Sequence, residues 1–96
     1  MTPPSDPAAQ LAHAQRLLVE FLRVDLDFAF TLLRTAEIEG AANNTEHEEA
    51  ALAKVRDALS AIRHLTGRIL NPKLRSEIDA KAQELETALA SVHRRN

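Results

Sequence analysis

Leu17 to Ala36 reads LLVEFLRVDLDFAFTLLRTA, and the fold turns on which side of this segment faces inward. At about 100° per residue, its apolar side chains do not fit on one helical stripe. Ala14, Leu17, Leu18, Phe21, Val24, Phe28, Ala29, Leu32 and Ala36 already fill about half the circumference. Val19, Leu26 and Phe30 lie beyond that arc, and Leu22 and Leu33 stand on its border. One strip is clearly polar: Arg16, Glu20, Arg23, Asp27, Thr31 and Arg34. Arg16 and Glu20 are four apart, as are Arg23 and Asp27, the spacing at which opposite charges pair along a helix surface. The broad arc is the expected core face, and the polar strip the expected solvent side.

The apolar residues left over, Val19, Leu22, Leu26, Phe30 and Leu33, stand at i, i+3, i+7, i+11 and i+14, a spacing like that of a coiled coil. They predict a helix–helix interface, most simply a two-fold homodimer that buries the seam against its own copy. The alternative is a core that wraps further round this helix. Asp25 falls amid Leu18, Phe21, Phe28 and Leu32. A carboxylate buried there needs a cation or a hydrogen bond, or must be protonated. Lys81 occupies an otherwise apolar position of the last helix and is the expected partner, in an ion pair that fixes register. Arg63 and Arg56 flank the facing side of the second helix.

Working outward, Asp6-Pro7 offers an N-cap followed by a proline whose missing N–H costs nothing at the first helical position. Residues 1–6, with Pro3 and Pro4, are expected to be a disordered lead-in, and residues 7–96 a single domain. The first helix is predicted over 7–39, with Gly40 stopping it through a positive φ. Thr45 and Glu48 have capping-box spacing and open a second helix over 45–68, whose end depends on how Gly67 is accommodated. Asn71-Pro72 repeats the cap-plus-proline signal for a third helix over 72–94, with His93, Arg94 and Arg95 at the negative end of its dipole. On the second helix Ala51, Leu52, Val55, Ala58, Leu59, Ile62, Leu65 and Ile69 share one arc. On the third, Leu74, Ile78, Ala82, Leu85, Leu89 and Val92 do. Short connections between amphipathic helices make antiparallel neighbours. The expected fold is an all-α, antiparallel, up-down-up three-helix bundle. Its first helix spans roughly 50 Å against roughly 30–37 Å for the others, so its first turns, Ala8 to Arg16, overhang.

Composition narrows the function. Twelve Lys and Arg against fourteen Asp and Glu leave a net charge of −2, which is no electrostatic footprint for nucleic acid or an anionic membrane. The only aromatics are three Phe, so no Tyr or Trp is present to stack on bases. No apolar run reaches the ~18 residues that cross a bilayer, and the start of the chain lacks the pattern of a signal peptide. There is no cysteine, so disulfides and thiolate metal sites are excluded, and a reducing cytoplasm is the expected location. The four histidines, His13, His47, His64 and His93, are preceded at −3 by Gln10, Asn44, Ala61 and Ala90. The Glu-x-x-His pattern of helical di-metal sites is therefore absent, and no metal, cofactor or catalytic residue is assigned. With only Gly40 and Gly67, no glycine-rich phosphate loop exists.

The run Asn71-Pro72-Lys73-Leu74-Arg75, continuing to Leu85, resembles the third helix of microtubule-interacting-and-transport domains, three-helix bundles akin to tetratricopeptide repeats. The capped second helix, with EEAALAKVRDAL over 48–59, is similar in style. The likeness covers about two thirds of the chain as pattern, without a diagnostic motif. It implies a groove that accepts a partner helix, and no family binding residue transfers to this chain. LRSEID, Leu74 to Asp79, is similar to the opening of the first helix of small helical chorismate mutases. Here it begins the last helix and Lys81 to Gln83 depart from the pattern, leaving no chain for the other active-site segments. The expected function is a non-enzymatic interaction or assembly module, a homodimer through Val19, Leu22, Leu26, Phe30 and Leu33. A small-molecule binder or enzyme using Asp25 with Lys81 or Arg63, and a receptor for another protein's amphipathic helix, are the alternatives.

Overall fold

Asp6 and Pro7 open the first helix: Pro7 occupies its first turn and the Asp6 carbonyl accepts the Gln10 N–H at 2.8 Å. The computed structural model describes residues 6–95, with side-chain surroundings for residues 6–92. The predicted lead-in, 1–6, lies outside the described residues apart from Asp6. So do the side chains of His93, Arg94 and Arg95. Among the described residues the chain folds as α1 (Pro7–Ala41), α2 (Thr45–Thr66) and α3 (Pro72–Arg95). Each helix packs on both others, in an all-α up-down-up bundle. The molecule measures 55 × 26 × 15 Å, and its length is that of α1, about 1.5 Å for each residue.

The turn between α1 and α2 differs from its expected chemistry. No glycine has a positive φ, and α1 runs through Gly40 to Ala41. The left-handed residue is Asn43, at φ 62, a residue type that tolerates that region. Asn44 stands at the N-cap of α2, and its side chain donates to Glu39 Oε2 at 2.7 Å instead of capping the helix. Glu48, expected to reach back in a capping box, is buried. It lies over Gly40, where an added Cβ would overlap its carboxylate. Gly40 thus leaves room for a side chain of the next helix, a need that local turn rules do not register.

A double-mutant cycle reads out this contact. Gly→Ala inside a helix gains about 1 kcal/mol of propensity. Gly40→Ala is expected to recover that gain in a Glu48→Ala background, and to lose most or all of it when Glu48 is present and must swing aside. Urea unfolding of the four chains measures the difference, and equal effects in both backgrounds would refute the contact.

The connection from α2 to α3 is tied to α1. Arg68 N–H bonds the Leu65 carbonyl at 2.9 Å and Ile69 N–H the Thr66 carbonyl at 3.1 Å, while the Ile69 side chain plugs the core. The amide of Gln15 donates to the Arg68 carbonyl at 3.1 Å and accepts from Leu70 N–H at 2.8 Å. Asn71 Oδ1 accepts from Lys73 N–H at 2.9 Å and Leu74 N–H at 3.1 Å, the side-chain cap expected before Pro72. Because the connection is fixed at the level of Gln15, the turns of α1 before it project past the bundle. Leu11, on the same side of α1 as the core residues, is exposed there.

The core is built from one line of α1: Val19, Leu22, Leu26, Ala29, Leu33 and Ala36. It meets Ala51, Leu52, Val55 and Ile62 of α2, and Ile78, Ala82, Leu85, Leu89 and Val92 of α3. Alanines are interspersed among larger aliphatic side chains on each of these faces, so large side chains seat where small ones let the helices approach. Thr66 is buried but satisfied, its hydroxyl donating to the Ile62 carbonyl at 2.6 Å.

Candidate functional site

The seam predicted as an interface is interior. Val19, Leu22, Leu26 and Leu33 are between 0% and 5% exposed, and Phe30 is half-buried against them. The core lies on this side of α1, but it does not wrap round from the broad arc: Leu17, Phe21, Val24 and Phe28, expected on the core face, are turned outward. The physical reason lies in the length of the line. Positions 19, 22, 26, 29, 33 and 36 step by three and four and stay apolar throughout, so they match α2 and α3 along most of their length. The rival line, 14, 17, 21, 24 and 28, runs on into Thr31 and Thr35.

The pairing of Asp25 with Lys81 is likewise not formed. Asp25 is partly buried beside the core line and keeps contact with solvent. Lys81 is exposed and lies 3.4 Å from Glu84, one turn along its own helix. Arg63 is held by Glu86 and by Gln83 Oε1, at 3.2 Å from the latter, tying α2 to α3. Asp25, Lys81 and Arg63 therefore do not converge on one site.

Two open grooves lie between α1 and α3. One, of about 570 Å³, has Leu26, Phe30 and Ile78 at its floor and Arg23, Asp27, Glu77 and Lys81 at its rim. The other, of about 580 Å³, runs beneath the overhang past Leu11, Val19, Leu70 and Leu74. Arg23 borders both and lies 3.7 Å from Glu77 across the gap. Opposite charges alternate along these rims, as on a solvated surface. Among the described residues no three His, Asp or Glu side chains gather as a metal site, and no helix is long and apolar enough to cross a membrane.

The surplus apolar surface is on the other side of α1. Leu17, Phe21, Val24 and Phe28 are 52%, 54%, 68% and 56% exposed. They stand at steps of four, three and four, which puts them on one line along the helix. Leu18 and Leu32, partly packed on the core, border the line towards it. Four large apolar side chains in a row form a patch of about 400 Å², the size at which an exposed patch on a small protein often marks a contact. Reading the sequence for one wide arc hid this stripe. Its signal was the presence of two separate heptad lines on one helix, of which a bundle of three helices needs one. No protein-family model, curated protein or solved structure matches the chain.

Proposed function

We propose that this chain is a non-enzymatic helical interaction module that docks another helix along the exposed line of α1. The observation that carries this reading is the row Leu17, Phe21, Val24 and Phe28, left more than half exposed by a bundle whose core is already complete. A helix that buries one apolar line in its own domain and keeps a second one outside is built to face two neighbours. The charged groups of the molecule support a structural rather than a catalytic role: Arg23 with Glu77, Arg63 with Glu86 and Lys81 with Glu84 are surface pairs.

The test compares the wild-type chain with a Val24→Glu/Phe28→Glu variant, each made at native level in the cells that produce it. On size exclusion of fresh extract, the wild type is expected to elute well above its own 10.6 kDa and the variant at the monomer position. A wild-type chain that elutes as a monomer in extract would sink the reading.

A further inference from the structure

We propose that the occupant of the α1 line is a second copy of this chain, packed α1 on α1 about a two-fold axis. This rests on the docking reading above and names the partner. The steps from Leu17 to Phe21, Val24 and Phe28 are four, three and four, and so read the same in both chain directions. An axis midway between Phe21 and Val24 sets Phe21 opposite Val24 of the second copy, and Leu17 opposite its Phe28, which is the self-complementarity an isologous contact requires. Each layer then places one ring against one smaller aliphatic group, with no layer holding two rings. The same line holds Ala14 before the stripe and Thr31 and Thr35 after it, all exposed and uncharged, so a second helix can follow it for six turns.

Area agrees with this pairing. The four side chains leave about 100 Å² each to solvent, or about 800 Å² over two copies. Covering Ala14, Leu18 and Leu32 as well brings the total past the ~1,000 Å² at which stable interfaces begin. Charge sets the character of the contact. Between Leu17 and Phe28 the positions flanking the stripe carry Glu20, Asp25 and Asp27, and Arg23 of the same polar strip stands one step further round. Association is therefore driven by apolar burial against mild repulsion, and salt that screens the acids leaves it intact or tightens it.

Sedimentation velocity of the purified full chain tests this, from about 5 to about 500 µM and at low and high salt. The wild type is expected to pass from monomer to dimer within that range, and to do so no less readily at high salt. Val24→Glu/Phe28→Glu is expected to raise the dissociation constant at least ~100-fold with an unchanged circular-dichroism spectrum; Val24→Ser/Phe28→Ser serves if the glutamates disturb folding. A wild-type chain that stays monomeric, while its extract still shows the larger species, overturns the second copy and leaves the docking reading standing with a different helix. A dimer that the substitutions do not weaken, or that salt dissolves, also overturns the proposal. Loss of folding in both double variants would place these residues in the core and remove both readings.

Discussion

Leu26→Glu is expected to leave the chain without a cooperative unfolding transition at 25 °C. Val24→Glu, two residues away on the same helix, is expected to leave the unfolding midpoint of dilute protein within about 4 °C of wild type. Leu26 sits on the core line at 3% exposure. A carboxylate there is drawn out of water into the apolar floor formed with Phe30 and Ile78, at a cost of several kcal/mol on top of the lost leucine packing. A single small domain holds about 5–15 kcal/mol in total, so the penalty is of the order of the whole stability. Val24 is 68% exposed, and glutamate is the better helix former. Thermal circular dichroism at a few micromolar reads both, a concentration low enough to keep any self-association from adding to the apparent stability. The opposite ranking would turn α1 about its axis and restore Val19, Leu22, Leu26, Phe30 and Leu33 as the outward seam.

Leu85→Ala is expected to cost about 3 kcal/mol and to lower the midpoint by about 12–20 °C. Leu85 is fully buried at the middle of the face that α3 presents, between Ala82 and Leu89. Its neighbours Ala82 and Ala88 are too small to close the space it vacates, so the loss combines transfer and cavity terms. Urea unfolding should show the midpoint fall with an unchanged slope. A shallower slope would mean that α3 has come away in the native state, and a loss below about 1 kcal/mol would mean that Leu85 is not in the core.

The helices and their ends near Pro7, Asn71 and Pro72 were legible because each depends on a few neighbouring residues. Pro7 suits a first turn whatever the rest of the chain does, and the Asn71 cap needs only the N–H groups two and three residues on. The faces of α2 and α3 were legible too, since each of those helices has one apolar arc. The turn after Gly40 was not, because that glycine accommodates Glu48 of the next helix. Asp25 misled for a related reason: its sequence neighbours are apolar, but whether they enclose it depends on how α1 is rotated.

On its own the sequence determined that the chain is three helices, that the first is longer than its partners, and that this helix carries more apolar surface than one core can use. Periodicity and composition carry those facts, being properties of each segment by itself. Only the tertiary structure decided which of the two lines on α1 is inside. Both follow the same three-and-four stepping, and the inner one stays apolar for longer, but that extra length counts only against partners long enough to cover it. The choice is made by α2 and α3, whose length and alanine spacing accept Val19, Leu22, Leu26, Ala29, Leu33 and Ala36 along the whole bundle. Leu17, Phe21, Val24 and Phe28 are thereby turned outward.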